Sequence, residues 1–327
     1  MGDEMMADET ITDEELEIGS EPTRWSPPEG VVRHAGGPVK AEWDFFAEPP
    51  PEIGELVSAE TTMKAGAKPW RLASRIALAG LIAWGGYMAA QVVNFGNRPD
   101  DEFRIKVAIV IVALVGAIIA WYLTRFSHTC SFVGKLGLAR FKCKGSRDKV
   151  RAPEVFLFQD AAELRTSQTR HYHNGIYTGT NYAFTWTNNE GKKAFKLSST
   201  YRGENKPPKE TDPFHYATMA EGAWSAFLFD QVVATLNAAG AVRFNLSGKY
   251  FVAIGPGFLD VYTGGTEVIH LTAEEIGGMQ IDSGQVKIKR IDAKEGWFSS
   301  TGVYKFGYEN MANSRLFLLL YAHLVGR

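Results

Sequence analysis

The residues that come nearest to metal chemistry are two histidines in the sequence His171-Tyr172-His173. Residues two apart on a β-strand point to the same face of a sheet, so both imidazoles could meet one ion. No third ligand stands at a usable spacing in the sequence. A polar loop beside a strand explains the pair equally well. We therefore predict neither a metal site nor a cofactor.

Catalytic motifs are missing from the sequence, which contains no G-x-G-x-x-G, G-x-x-x-x-G-K-[ST], H-E-x-x-H, C-x-x-C or G-x-S-x-G. Its two cysteines, Cys130 and Cys143, cannot form a disulfide framework, and we expect two reduced thiols in a cytoplasmic domain. These observations predict a non-enzymatic protein. The alternative is an enzyme with an unrecognised site near residues 171–186, which would need a pocket there with convergent polar groups and a shifted pKa.

A basic stretch between residues 135 and 151 is the clearest candidate binding surface. We expect six of its members to contact anionic lipid: Lys135, Arg140, Lys142, Lys144, Arg147 and Lys149. Each basic residue near an anionic leaflet adds about 1 kcal/mol of attraction. A solvated patch that only keeps the domain near a bilayer is the alternative. The stretch has no interleaved aromatic residues on a recognisable module, so we predict no nucleic-acid partner.

Residues 1–70 differ from the rest of the chain in composition. They hold 16 acidic and 5 basic residues, a net charge of −11, and 8 of the 14 prolines. Such sequence buries too little apolar surface to offset chain entropy, which predicts a disordered acidic tail. Within it, Trp43, Phe45 and Phe46 form an aromatic cluster that we interpret as a docking motif for a protein partner. The alternative is transient contact with the basic body of the same protein.

Two apolar runs, residues 76–95 and 107–123, contain no charged residue. Each is long enough to cross a bilayer, and the short segment between them predicts a transmembrane helical hairpin over residues 71–125. Basic residues are more frequent at the open end of the hairpin than at its loop, which places both termini in the cytoplasm and the hairpin in the plasma (inner) membrane. Two buried helices of a soluble domain are the alternative.

Averages over the whole chain conceal this organisation. The net charge is −2 and the mean hydropathy is −0.15, values that exclude a polytopic transporter but would suit a soluble protein. Small residues recur four apart in both runs, as in Gly86 with Ala90 and Ala113 with Ala117. Such pairs let helices approach closely, within the hairpin or in a homo-oligomer.

Residues 126–327 read as a duplicated pattern of strands closed by a helix. The residues Gly137-Leu138-Ala139-Arg140-Phe141 and Glu154–Phe158 of the first half match Gly257–Val261 and Glu267–Leu271 of the second. This order, together with HNGIYTGTNYAFTW at residues 173–186, resembles a bacterial membrane-anchored family of unknown function with tandem pleckstrin-homology-like domains. The resemblance implies a strongly bent, seven-stranded antiparallel sheet with a C-terminal capping helix, over residues 126–242 and again over 243–327.

The predicted fold class is therefore a membrane-anchored, mainly-β protein: a two-helix hairpin followed by two pleckstrin-homology-like domains. The predicted function is a cytoplasmic binding or adaptor module that engages a protein partner or the anionic lipid surface. Besides the enzyme, the remaining alternative is an accessory subunit whose hairpin packs on a larger membrane complex.

Overall fold

A computed structural model describes residues 25–64, 69–92, 99–124, 127–144, 149–204, 206–262, 264, 267–295 and 300–325. The four helices of this part of the chain are α1 (Pro69–Val92), α2 (Pro99–Leu123), α3 (Phe214–Ala239) and α4 (Ser314–Leu324). The first seven strands are β1 (Leu56–Thr61), β2 (Ser127–Gly134), β3 (Gly137–Lys144), β4 (Glu154–Leu157), β5 (Glu163–His173), β6 (Ile176–Thr187) and β7 (Lys193–Tyr201). The other seven are β8 (Val242–Asn245), β9 (Phe251–Gly255), β10 (Phe258–Tyr262), β11 (Ile269–Thr272), β12 (Ile276–Asp282), β13 (Gln285–Glu295) and β14 (Ser300–Gly307).

The predicted duplication is visible in the order of the elements. Unit 1 comprises the four-stranded sheet β1-β2-β3-β4, the three-stranded sheet β5-β6-β7 and α3. Unit 2 repeats this order with β8-β9-β10-β11, β12-β13-β14 and α4. All pairings between named strands are antiparallel. The seven strands of each unit thus form two sheets in the described residues, where one continuous bent sheet was expected.

Residues that flank helix α3 fix both of its ends. The side chain of Asp212 accepts a hydrogen bond from the amide of Phe214 at 2.9 Å, as capping residues do. Gly240 then ends the helix in the left-handed conformation, with φ at 74°, which costs glycine little. Between these ends, α3 packs Tyr216 and Trp224 against both sheets of unit 1. The core of unit 1 therefore lies between its two sheets and this helix.

The start of unit 1 differs from the prediction. Strand β1 lies within the segment expected to be disordered, and it pairs with β2 over Leu56–Thr61. Residues 25–64 as a whole are folded against the four-stranded sheet, so the prediction of disorder is wrong for them; residues 1–24 lie outside the described residues. The predicted start of the first domain at residue 126 is consequently too late. Strand β8 also begins at Val242, one residue before the predicted start of the second domain.

The two apolar helices form the predicted hairpin. Gly86 allows close packing, because a Cβ atom there would lie 2.0 Å from the Cβ atom of Ala113. Ala90 and Ala117 are buried, while Leu81 and Val112 on other faces are 67% and 70% exposed. Both helices are long and apolar enough to cross a membrane. The small residues are thus used between the two helices, and the large apolar side chains face outward.

Helix α3 also connects the two units. Val232 near its C-terminus lies in the core of unit 2, where it joins residues of the β8–β11 sheet and α4. Leu228 packs against the cores of both units. One helix therefore contributes to two hydrophobic cores.

Candidate functional site

The end of unit 1 that adjoins the helical hairpin is fixed by strand pairing. Thr61 pairs with Cys130, and the amide of Thr62 donates to the carbonyl of Thr129 at 3.0 Å. The chain leaves the sheet here, forms α1 and α2, and returns at Ser127, which pairs with Lys144. The hairpin is thus an insertion between two neighbouring strands. We call this edge of unit 1, marked by Thr62, Ser127 and Lys144, the hairpin end.

At the base of the hairpin, one arginine side chain connects the two helices. The guanidinium of Arg75 in α1 lies 4.2 Å from the ring centroid of Trp121 in α2. It also donates a 2.7 Å hydrogen bond to the carbonyl of Trp121. A positive charge at the C-terminus of α2 complements the helix dipole. An arginine with a tryptophan at this level is the composition found where helices leave a bilayer.

The six basic residues proposed to contact lipid do not form one surface. Lys135 lies in the β2–β3 turn, at the opposite end of the strands, and pairs with Glu55. Arg140 pairs with Glu154 on the adjacent strand. Arg147 lies outside the described residues. Only Lys142, Lys144 and Lys149 remain as exposed lysines at the hairpin end that form no ion pair within the described part of the chain.

Strand alternation explains why Lys142 and Lys144 are exposed. Phe141 and Cys143 alternate with them along β3 and point to the buried face. The two lysines therefore project together from the other face. Lys144 lies opposite Ser127, the first described residue after the hairpin. This geometry brings at least two positive charges next to the point where the helices begin.

The aromatic cluster of the N-terminal segment is part of the core rather than an exposed docking motif. Trp43 and Phe45 are 7% and 4% exposed, and Phe46 is half-buried against the same cluster. The ring of Phe45 lies 5.9 Å from that of Phe132 on β2. The docking prediction for Trp43, Phe45 and Phe46 is therefore wrong, because sheet residues already occupy the surface that these side chains would offer.

Polar contacts also hold the N-terminal segment in place. Arg33 is buried, stacks on Trp43 at 5.0 Å and pairs with Glu210 at 2.7 Å. The two ring nitrogens of His34 lie 2.8 Å from the hydroxyl of Ser58 and 2.9 Å from that of Ser131. Burial lowers the pKa of His34 to about 3, so this ring is neutral in the folded protein. These contacts join the segment to β1, β2 and the loop before α3.

The sequence did carry a signal for this extra layer. Strands β2 and β3 are apolar on both faces: Val133 and Leu138 point to one core, and Phe132 and Ala139 point to the other. A sheet with only one covered face alternates apolar with polar residues. Two apolar faces therefore indicate that something covers each of them.

The histidines and cysteines have separate positions. His171 and His173 are exposed near the end of β5, and within the described residues no group of three His, Cys, Asp or Glu could hold a metal ion. Cys130 and Cys143 are not joined by a disulfide and lie buried on one face of the β2–β3 pair. Burial raises the pKa of Cys130 to about 11 and also raises that of Cys143, which keeps both thiols protonated and unreactive.

The region proposed for an enzymatic site presents a shallow surface. A depression of about 340 Å³ lies on the β5–β7 sheet beside residues 171–186, and hydroxyl and amide side chains such as Ser167, Thr169 and Asn181 line it. Tyr182 also lines it, and burial raises the pKa of Tyr182 to about 12, so its hydroxyl is a poor base at neutral pH. This surface therefore offers hydrogen bonds, and Lys196 is the charged side chain among the residues that line it.

The chain matches no protein-family model, and no curated protein is found to be similar to it. Function is accordingly argued from the geometry of the chain.

Proposed function

We propose that this protein is a membrane-anchored, non-enzymatic binding module in which two pleckstrin-homology-like units stand on the cytoplasmic face of a membrane. The position of the hairpin carries the proposal. Because α1 and α2 are inserted between the paired strands β1 and β2, the folded units are held directly at the base of the hairpin. An anchor placed in this way fixes both the distance and the orientation of unit 1 relative to the bilayer.

The exposed apolar surface of the hairpin supports membrane insertion. Soluble proteins rarely leave large contiguous apolar patches in water. Along the apolar stretches of α1 and α2, 0% and 6% of the residues are buried. The alternative of two core helices in a soluble domain requires most of this surface to be covered, and it is not covered by the described parts of the chain.

Contact with anionic headgroups is the binding activity that the hairpin end supports best. Lys142, Lys144 and Lys149 lie near the base of the hairpin, within reach of the surface potential of an anionic leaflet. Three lysines at about 1 kcal/mol each add an orienting attraction that the hairpin alone lacks. The lysines thereby hold unit 1 down on the membrane surface.

The anchor is tested on membranes from cells that express the full chain. We expect the protein to resist alkaline carbonate extraction, and unit 1 to be cleaved only by protease added on the cytoplasmic side. Release by carbonate, or cleavage from the opposite side, would overturn the proposal.

The lipid contact is tested in nanodiscs of phosphatidylcholine with or without phosphatidylglycerol. Binding to the native state raises the unfolding temperature. We expect phosphatidylglycerol to stabilise the wild type and to lose this effect when Lys142, Lys144 and Lys149 are all changed to Gln. The control changes Lys192, Lys193 and Lys196 to Gln at the other end of the β5–β7 sheet, and it should respond like the wild type. Equal responses of the two triple variants would contradict the lipid contact.

A second candidate function, a subunit of a larger membrane complex, is favoured by the middle of α1. Trp84 and Tyr87 are 61% and 50% exposed there and lie 6.0 Å apart, ring to ring. Aromatic residues with polar groups are usual at membrane interfaces and less so in mid-span. A partner helix could cover them. Co-purification of a second membrane protein that is lost with Trp84→Leu and Tyr87→Leu would support this function.

A further inference from the structure

Strands β5 and β6 extend well beyond the core of unit 1. Leu164 and Thr166 of β5 are buried, and so are Thr180, Tyr182 and Phe184 of β6, but residues 169–173 and 176 are exposed. Asn174 and Gly175 close the two strands with φ angles of 51° and 76°. Both angles are left-handed, as a two-residue hairpin turn requires. The result is a protruding β-hairpin, which we call the β5–β6 tip, residues 170–178.

The β5–β6 tip exposes apolar side chains where a solvated turn would carry polar ones. Ile176 is 71% exposed and Tyr172 is 51% exposed. The ring of Tyr172 contacts that of Tyr177 across the strands at 5.8 Å. The basic residue Arg170 and the imidazoles of His171 and His173 flank them. An aliphatic and aromatic tip beside basic residues has the composition of segments that lie in the bilayer interface.

Helix α3 shows which way this tip points, because it contacts both sheets along its length. On the first sheet, Trp224 lies 5.6 Å from Phe158, near the β2–β3 turn, whereas the hydroxyl of Tyr216 reaches the carbonyl of Ala139. On the second sheet, Phe214 lies 5.2 Å from Tyr182. The N-terminal end of α3 therefore lies nearer to Lys144 on the first sheet, and nearer to the β5–β6 tip on the second sheet, than its C-terminal end does.

Connectivity fixes only the first sheet. In a run of paired antiparallel strands, alternate connections lie at the same end. The β1–β2 connection, which contains the helical hairpin, and the β3–β4 connection, which contains Lys149, therefore share one end. The β5–β6 turn belongs to the separate β5-β6-β7 sheet, so its direction follows from the α3 contacts. Thr180 is the buried side chain of β6 nearest to the turn, and Ile176 lies four positions further along the strand, which corresponds to about 13 Å of extended strand beyond the core.

We propose that the β5–β6 tip inserts Tyr172 and Ile176 into the interfacial region of the same bilayer that holds α1 and α2. This inference rests on the proposed membrane insertion of the hairpin. The tip provides a contact with the membrane that is separate from the hairpin base, so unit 1 is prevented from tilting. The tip is an apolar anchor, whereas the lysines of the hairpin end supply attraction to charge.

The test places a fluorescent label at single cysteines in the full-length protein, reconstituted in vesicles of phosphatidylcholine and phosphatidylglycerol in equal parts. The native Cys130 and Cys143 are buried thiols and stay unlabelled. Labels go to Ile176→Cys at the tip and to Met88→Cys in α1. The matched control is Asn189→Cys in the β6–β7 turn, which is exposed at the opposite end of β6. Quenching by spin-labelled lipids is measured for each.

We expect the label at position 176 to be quenched several-fold more strongly than the label at position 189. Equal quenching at 176 and 189, with strong quenching at 88, would overturn this inference and leave the membrane anchor intact. Absence of quenching at 88 would overturn the proposed membrane insertion and this inference with it. The three labels thus separate a failed tip contact from a failed anchor.

Discussion

Asn313 is the residue at which the two units are most directly joined. Its backbone is left-handed, with φ at 54°, and its side-chain oxygen accepts hydrogen bonds from the amide of Leu164 at 2.9 Å and the indole of Trp224 at 2.8 Å. Its own amide donates to the carbonyl of Leu164 at 2.7 Å. A residue of unit 2 therefore satisfies two donors that belong to the core of unit 1.

Replacing this acceptor should destabilise the protein strongly. Asn313→Ala leaves the Leu164 amide and the Trp224 indole without partners in a buried site, at a cost of about 2–4 kcal/mol. The control is Asn313→Asp, which keeps an acceptor oxygen and tolerates the left-handed backbone. Urea unfolding in mild detergent, followed by tryptophan fluorescence, measures the difference. Equal loss of stability in both variants would show that the side-chain acceptor is unimportant.

Glu221 on α3 makes stability depend on pH in a direction opposite to that of most carboxylates. Burial raises the pKa of Glu221 to about 7, although Arg315 at 3.8 Å partly compensates. A carboxyl with a raised pKa in the folded state contributes its full stability below the unfolded pKa of about 4.5 and loses it as pH rises through 7. The free energy of unfolding should fall by up to about 3 kcal/mol over this range.

The substitution Glu221→Gln should abolish this loss. The side-chain amide of the variant carries no charge at any pH. The wild type loses stability as pH rises from 5 to 8 and the variant does not, so the variant should be the more stable of the two at pH 8. Urea midpoints of both proteins across this range give the comparison. Parallel pH profiles for the two proteins would exclude Glu221 as the titrating group.

At the scale of elements, the α1–α2 hairpin depends on one close approach. A side chain at Gly86 would collide with Ala113, whereas one at Gly85 would meet no atom within 4 Å. Gly86→Leu should therefore separate the helices and lower the unfolding temperature in detergent, and Gly85→Leu, the matched control, should not. Similar melting of both variants would mean that the helices are held together elsewhere.

The N-terminal layer is an element in its own right, formed by residues 25–55 on the outer face of the first sheet. Phe45→Ala should cost about 3–5 kcal/mol, as truncation of a buried phenylalanine does. The control, Phe229→Ala on α3, removes a ring that is half exposed and should cost much less. Denaturant unfolding measures both. A small loss of stability in Phe45→Ala would instead favour the interpretation of this cluster as an accessible docking motif.

The two units show why this layer could be missed in the sequence. In unit 1 the central row of the outer face is Ala59, Phe132 and Ala139, but the same row in unit 2 is Arg243, Ala253 and Asp260. The counterpart of Ala139 is therefore Asp260, one residue later than the sequence match places it, because Leu259 lies in the core of unit 2. Charged residues let the second sheet face water, whereas the first needs a cover. The two apolar runs predicted the helical hairpin, and the repeated order of segments predicted the duplicated strands. The partner of the first sheet came from an acidic, proline-rich segment whose composition argued for disorder.

At the scale of the whole molecule, the α1–α2 hairpin interrupts a domain that is otherwise continuous. Strand β1 pairs with β2 up to Thr61 and Cys130, and the hydrogen bond from Thr62 to Thr129 continues that pairing to the point of insertion. The two ends that the hairpin joins are therefore neighbours. A short turn can connect adjacent antiparallel strands.

This topology makes two truncations differ sharply. Replacing residues 65–126 by a short glycine- and serine-rich linker keeps β1 and the N-terminal layer, and it should yield a soluble, monomeric protein with cooperative unfolding. Deleting residues 1–125, which follows the boundary predicted from the sequence, removes β1 and uncovers Phe132 and Phe141. An open strand edge beside an apolar face favours aggregation. Size-exclusion chromatography and circular dichroism distinguish the two outcomes, and a soluble, folded deletion variant would contradict the role of β1 as part of unit 1.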